Sequence, residues 1–386
     1  MIVRFLARFF AWFSTPALLR IGRAIGRIWF YVIPIRRGVA VRAVARAFPE
    51  KSAAEVRRIV RGNFEHLGCS LVESLAYLSW PEERLQKLLR YEGIEESVYA
   101  PRNAGHGVVA VSAHIGNFEI CTDGFGVLQN TPMMIVARLP KAGFARSMIE
   151  AFRARNPLME VFEPKGSAPR VVDALRTKRS VLAFVIDQNV RRGRGIFIPF
   201  MGEIANTTTG FASLQRRAES GLCVVHMYRE PDGSHRVRVK PVPPSTHPNE
   251  RVAILNDTLT MSNYIQSFVR ERPEQWFWVH RRWKARPEPG DLMRTDAGLE
   301  RFARGRVAAF FSPSLASDSG HAEASRRLRD AGVGVFDAAG AVERARLATE
   351  EGLDLASALV VEEGGDLVAV ADRFLEQTVA SGPALR

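Results

Sequence analysis

Along its hydrophobic and polar positions the chain changes texture several times. Residues 1–35 are apolar and aromatic, interrupted by Arg4, Arg8, Arg20, Arg23 and Arg27. Residues 50–92 begin acidic and then set Val56, Ile59, Val60, Phe64 and Leu67 at helical spacing, which predicts helix. From Gly107 onward, short apolar runs alternate with amphipathic ones. Val108–Ser112, Met134–Ala137, Val181–Ile186 and Leu222–Tyr228 read as strands, with helices at about 142–155, 168–178 and 209–220 between them. That alternation predicts an α/β fold: a mostly parallel central sheet flanked by helices. A turn at Pro231-Asp-Gly-Ser leads into an alternating strand, His235 to Pro241, and a long amphipathic helix is expected at about 250–271. Three further strand candidates, Val307–Phe311, Val333–Phe336 and Ala358–Val361, each trail a helical run and predict a small C-terminal α/β appendage.

Charge sharpens this division. The 386 residues carry a formal +13, but from Asp291 onward 11 Arg face 16 acidic residues, a net of −5 that leaves +18 for residues 1–290. Lysine and tryptophan also stop, at Lys284 and Trp283, and Arg286-Pro-Glu-Pro-Gly290 suits a linker. The expected organisation is a membrane-associated helical segment at 1–35, a main domain at 36–290 and an extension at 291–386. A basic main domain favours anionic partners: nucleic acid, an acidic protein or anionic lipid headgroups. There is no finger spacing and no aromatic RNA-binding block, and the apolar N-terminus has no place in a nucleic-acid reader. Cys69, Cys121 and Cys223 are odd in number and lack zinc spacing, so neither a disulfide framework nor a metal site is expected.

The longest uncharged run near the N-terminus, Phe9 to Leu19, is far short of the ~20 residues that span a bilayer. Arg20 follows where a cleavage site would stand in a secretory signal. Aromatics interleaved with five arginines instead suit helices lying in the membrane interface. The alternative is a first helix packed on the core.

The candidate chemistry sits where the first predicted strand runs out, in Val109-Ala-Val-Ser-Ala-His-Ile-Gly-Asn-Phe-Glu119. In open α/β sheets, reactive groups gather beyond the carboxyl ends of strands. Gly116 and Asn117 allow a tight turn after His114, and Phe118 can start a helix. A carboxylate at Glu119 on the first helical turn can hold the imidazole tautomer and stabilise its charged form. A capping histidine beside a solvated glutamate is the plain alternative. Asp187 closes another strand-like run, where it positions Arg138 or an acceptor, or simply braces a loop. Arg138 ends the strand-like Met133–Ala137 run and suits a bidentate phosphate grip or a local surface pair. Arg191, Arg192 and Arg194 form a basic loop facing acceptor phosphates, an acidic carrier or only solvent. His226 and His280 read as structural.

Four blocks in order give this pattern a context: Val-Ser-Ala-His-Ile-Gly-Asn-Phe-Glu119, Val185-Ile-Asp-Gln-Asn189, Phe197-Ile-Pro-Phe-Met-Gly202 followed by Ala205-Asn-Thr-Thr-Thr-Gly210, and Pro273-Glu-Gln-Trp-Phe-Trp-Val-His-Arg-Arg-Trp-Lys284. The first resembles the HxxxxD/E block of glycerolipid acyltransferases. Together they resemble the late (lauroyl/myristoyl) acyltransferases of lipid A biosynthesis, relatives of the phosphatidylinositol mannoside acyltransferases. Ala47-Phe-Pro-Glu50 also fits, although Ala43 stands where the family usually has asparagine. The resemblance covers about residues 1–287 and omits the tail. It implies a glycerolipid-acyltransferase-like fold and acyl transfer from a thioester carrier, acyl-carrier protein or acyl-CoA, to a glycolipid hydroxyl at the cytoplasmic face of the inner membrane. No cofactor or metal is implied. His114 is then the general base with Glu119 orienting it. Arg138, Asp187, Asn117, Arg191, Arg192, Arg194, Glu274 and Arg281 are substrate-binding candidates, and backbone N–H groups near Gly116–Asn117 are candidate oxyanion donors. No serine nucleophile elbow is visible, so direct transfer is expected. A non-catalytic membrane-surface protein binding anionic lipid is the competing reading.

Overall fold

The computed structural model describes residues 2–380 except 34, 139–140, 288–291, 296–297, 302–307, 331–332, 339, 341–342, 345–346, 348–358 and 362–365. The chain forms two compact units, residues 1–286 with 293–299, and residues 287–292 with 300–386. The composition change expected at 290/291 thus lies near the division, but a short segment returns to the first unit. Residues 1–35 are not a separate unit.

Four helices open the first unit: α1 (Ile2–Ala11), α2 (Thr15–Tyr31), α3 (Arg37–Ala47) and α4 (Ala53–Tyr77). Helix α4 starts in a capping box, with the Ser52 N–H donating to Glu55 Oε2 at 2.9 Å and the Glu55 N–H to Ser52 Oγ at 3.3 Å. Where α2 crosses α4, glycines let the backbones touch. A Cβ on Gly26 would stand 2.2 Å from the Phe64 carbonyl oxygen, and one on Gly68 2.1 Å from that of Gly22. Overpacking typically costs ~1–3 kcal/mol. Gly26→Val is therefore expected to lower the thermal unfolding midpoint by several degrees, and an unchanged melting curve would contradict the close crossing.

Helix α1 buries Val3 and Ala7 and exposes Ile2, Phe5 and Phe9, a stripe at three- to four-residue spacing that Trp12, just past the helix and 92% exposed, continues. Ile28, Tyr31, Val32, Ile33 and Ile35 form a second exposed apolar group at the end of α2 and beyond. The segment therefore packs on the core by one face and leaves the other uncovered. Among the described residues, no helix is long and apolar enough to cross a membrane.

The chain continues through α5 (Glu82–Leu88), β1 (Leu89–Glu92), α6 (Ala100–Asn103), β2 (Val108–Ser112), α7 (Phe118–Leu128), β3 (Met133–Val136) and α8 (Phe144–Arg155). Then come β4 (Met159–Phe162), α9 (Ala168–Thr177), β5 (Val181–Val185), β6 (Ile196–Phe200), β7 (Glu203–Thr207), α10 (Gly210–Ala218), β8 (Gly221–Arg229), β9 (His235–Pro241), α11 (Glu250–Glu271), β10 (Leu292–Thr295) and β11 (Gly298–Arg301). The main sheet has seven strands in the order β1-β9-β8-β2-β5-β3-β4. Its neighbours pair in parallel except β8 and β9, which run antiparallel. Strand β2 lies near the centre and feeds two cores, Val109 and Val111 on one face and Val108 and Ala110 on the other. Burial on both faces explains why it is apolar from Val108 to Val111.

One expectation needed revision. Residues 89–92 form the edge strand β1 rather than the end of a helix, because pairing with β9 overrides the local periodicity. Strands β6 and β7 form an antiparallel hairpin over residues 196–207, in a second sheet ordered β11-β10-β6-β7.

The second unit has β12 (Ala308–Phe311) between β13 (Gly334–Asp337) and β14 (Leu359–Val361), all parallel, with helices α12 (His321–Asp330) and α13 (Leu367–Ala380). The appendage is α/β, as its pattern predicted. Val307 and Ala358, which began two of the expected strands, lie outside the described residues.

Candidate active site

Strand β2 ends at Ser112 and the chain turns before α7. Gly116 makes the turn with φ +63°, and a Cβ there would stand 2.5 Å from the Met227 carbonyl oxygen, so both conformation and space demand glycine. The Pro273-Glu-Gln-Trp segment pairs with this turn. The Phe277 N–H donates to the His114 carbonyl at 3.0 Å, the Gly116 N–H to the Gln275 carbonyl at 3.0 Å, and Ile115 bridges Trp276. The Gly116 N–H is thereby spent on Gln275 and does not serve as the oxyanion donor expected of it.

His114 is gripped by Asp187, which follows β5. The imidazole Nδ1 lies 2.8 Å from Asp187 Oδ1, and the His114 backbone N–H donates to Oδ2 at 3.0 Å. The Trp276 indole is a third donor to the carboxylate, meeting Oδ2 at 2.7 Å. Asp187 is 2% exposed. Burial works against its charge, yet His114 and Trp276 outweigh this and hold its pKa below the usual carboxylate value. Such an anion fixes the proton of neutral His114 on Nδ1 and leaves Nε2 with a lone pair. Burial also disfavours the imidazolium, but Asp187 and, more weakly, Glu119 overcome it and raise the His114 pKa above 6.5. The carboxylate bonded to His114 is therefore Asp187, not Glu119, and Asp187 neither positions Arg138 nor reaches outward to an acceptor.

Glu119 sits on the first turn of α7 and lines an apolar chamber of about 530 Å³ together with His114. Its side chain is accessible from that chamber although protein surrounds it. Burial and Asp123 push its pKa up, against the pull of His114. The chamber runs beneath α7 and α8 along one face of the sheet. Ala110, Ser112 and Ala183 form its wall beside His114, and Tyr91, Val237 and Val239 line it on β1 and β9. Small side chains on the central strands open the space, and the methionines and aromatics around them keep it apolar. Cys121 lines it too, but burial pushes its thiol pKa far up, which makes it a poor nucleophile.

The remaining candidates separate. Arg138 is exposed just past β3, next to the chamber-lining Ala137. Arg191, Arg192 and Arg194 are exposed on the loop after Asp187. The Asn117 amide turns inward, donating to Glu73 Oε2 at 3.1 Å and accepting from Ser74 Oγ at 3.2 Å, so it is not a substrate contact. Glu274 packs against Gly62 of α4, and its carbonyl accepts from Asn63 at 2.9 Å, so it braces the fold. Arg281 is exposed, whereas its neighbour Arg282 is the buried one. Arg282 donates to the Asn206 carbonyl at 2.7 Å and stacks over Phe200, and burial lowers its pKa to about 10. His280 is structural, its Nε2 accepting from the Asn189 N–H at 2.9 Å, with burial lowering its pKa to about 4.

Behind the turn lies a network that the sequence reading missed. The Arg229 guanidinium grips the Glu73 carboxylate with two donors, one at 2.8 Å, and reaches His66 Nδ1 at 2.6 Å and Ser70 Oγ at 3.0 Å. His66 Nε2 lies 3.2 Å from the Gly116 carbonyl oxygen. A lone acid within the apolar Leu71–Trp80 run and an arginine ending the apolar strand β8 were the available signals. Among the described residues, no group of three His, Cys, Asp or Glu side chains is arranged to hold a metal.

The sequence around this site also has relatives among known proteins. The chain is 29% identical over 276 residues to the lipid A biosynthesis palmitoleoyltransferase of Escherichia coli K12, covering 70% of this chain and 86% of that one. It is 28% identical over 285 residues to the lauroyltransferase of the same organism, covering 71% and 87%. A Haemophilus influenzae lipid A biosynthesis acyltransferase is 22% identical over 71% of this chain and 86% of its own. Residues 1–285 match the family described as bacterial lipid A biosynthesis acyltransferase, and the chain, an acyltransferase, belongs to that family.

Proposed function

We propose that the protein transfers a fatty acyl chain from an acyl thioester to a hydroxyl of a lipid A precursor, with His114 as general base in a glycerolipid-acyltransferase-like unit. The observation that carries this reading is His114, fixed by Asp187, at the wall of a chamber shaped for a hydrocarbon chain. The acyl tail lies in the chamber and its thioester carbon sits beside Nε2. The acceptor hydroxyl gives its proton to Nε2 as its oxygen attacks. The C–O bond forms, the C–S bond breaks, and the imidazolium returns the proton to the departing thiolate. Asp187 orients the ring, and Glu119 stabilises the imidazolium from the chamber side. General-base help of this kind contributes ~10²–10⁴-fold.

The +18 of residues 1–290 favours anionic donors, an acidic carrier protein or acyl-CoA. The exposed apolar faces of α1 and α2, with Arg4, Arg8, Arg20, Arg23 and Arg27 around them, suit docking on the cytoplasmic leaflet of the inner membrane. On this reading the exposed Arg138, Arg191, Arg192 and Arg194 bind the phosphates of the acceptor.

Lipid mass spectrometry of a deletion strain tests the acceptor. Lipid A lacking one secondary acyl chain is the expected result, and an unchanged acyl pattern would contradict it. The chamber makes its own prediction: Ala183→Phe, which fills space beside the sheet, is expected to shift selectivity toward shorter donor chains with the shortest accepted at near wild-type rate. Equal losses for all chain lengths would move the acyl tail elsewhere.

A further inference from the structure

One contact to the reacting nitrogen remains unassigned. The Gln188 carboxamide nitrogen lies 3.0 Å from His114 Nε2. Because Nδ1–H donates to Asp187, Nε2 of the neutral ring is an acceptor, and the amide NH₂ is the only end of Gln188 that can satisfy it. The glutamine thus occupies the place from which a hydroxyl would hand its proton to the base.

Its placement is tightly enforced. One segment, residues 276–285, holds three consecutive residues of the loop after β5. Trp276 donates to Asp187 at 2.7 Å, Arg282 to the Gln188 carbonyl at 3.2 Å, and the Ala285 N–H to Asn189 Oδ1 at 2.9 Å. The His280 ring accepts the Asn189 N–H at 2.9 Å. With the backbone fixed on both sides, the Gln188 side chain has a defined reach, and that reach ends on Nε2.

Position relative to the chamber gives the second observation. His114 and Glu119 line the chamber, whereas Gln188 does not, although it is bonded to the same ring. The exposed Arg191 and Arg194 follow it in the chain. Gln188 therefore meets the His114 ring from outside the chamber lining.

The geometry points to Gln188 as a catalytic residue on the acceptor side: in the free enzyme its amide caps Nε2, and when the acceptor hydroxyl inserts, the same N–H donates to that hydroxyl's oxygen. The exchange keeps Nε2 and the amide each with a partner, and it leaves one lone pair of the acceptor oxygen directed at the thioester carbon. The inference rests on the reading of His114 as the base.

The test uses the full chain in detergent, an acyl-carrier-protein thioester and a hydroxyl-bearing lipid A precursor, with folding checked by thermal melting. Gln188→Ala is expected to lower kcat ~10-fold, the worth of one neutral hydrogen bond, with KM for the thioester unchanged. Gln188→Glu is nearly isosteric and serves even if the alanine variant misfolds. It puts a carboxylate against Nε2 and is expected to move the acid limb of the pH–rate profile upward, which a purely structural residue would not do. Wild-type kcat in Gln188→Ala, or an unmoved limb in Gln188→Glu, overturns the inference. His114→Ala separates the two levels: if it is inactive while Gln188→Ala is normal, only the glutamine's role falls, and if it is active, the base itself is misassigned.

Discussion

His114→Ala is expected to lower acyl transfer by ~10²–10⁴-fold while leaving the melting curve near that of the wild type. An acceptor alcohol is a weak nucleophile at neutral pH, and His114 Nε2 is the basic atom held at the chamber wall. Asp187→Asn should cost a comparable factor, because a carboxamide in place of the acid no longer imposes the Nδ1–H tautomer. The pH profile carries further information. His114 works unprotonated, so activity rises as pH climbs through its folded pKa, and since that pKa is raised, the acid limb lies above 6.5. In Asp187→Asn the burial that disfavours the imidazolium loses its main opponent, and the limb moves to lower pH. Glu119→Gln should shift it the same way by less, since Glu119 is the weaker of the two acids acting on the ring. A limb that does not respond to Asp187 would mean that another group titrates.

Arg229→Met is expected to destabilise the first unit by ~3–5 kcal/mol, because it strands the buried Glu73 carboxylate without its counterion. Glu73 is 1% and Arg229 8% exposed, and the guanidinium also serves His66 and Ser70. Burial opposes the Glu73 charge, but Arg229 and His235 overcome it and depress its pKa. The double variant Glu73→Leu with Arg229→Met should recover much of the loss, since replacing both partners with apolar groups leaves no orphaned charge. Additive losses in chemical denaturation would contradict the pairing. Protons act on the buried histidines with a definite sign. Burial lowers the folded pKa of His66, and those of His226 and His280 to about 3 and about 4. Below the ordinary histidine value the unfolded chain binds protons that the folded one refuses, so this stability is lost as pH falls from about 6.5 toward those values.

Elements with a strong local period were legible from sequence. The largely apolar strands β2, β5 and β8 and the helix at 250–271 stand close to where their patterns put them. The position of His114 at a strand end was legible for the same reason. Its partner was not. Glu119 is five residues away and looks like the natural companion, whereas Asp187 is 73 residues away in sequence and reaches Nδ1 only because β5 pairs beside β2. Trp276 and Gln188 meet the site through the same parallel pairing and the segment that closes over it, neither of which leaves a local trace. Asn117 and Glu274 looked reactive because they are polar within specific blocks, yet the fold turns them inward or against α4. In this chain local patterning encoded the strands, while the polar contacts that arm the site arise from topology.

Acyl transfer by the purified full chain, followed by mass spectrometry of the acceptor, tests the central claim most directly. With an acyl thioester and a lipid A precursor, the wild type should yield one new ester on the acceptor and free carrier thiol in equal amounts. His114→Ala, folded to the same degree, should yield almost none. Equal product from both proteins, or thioester consumed with no acyl chain appearing on the acceptor, would contradict the account.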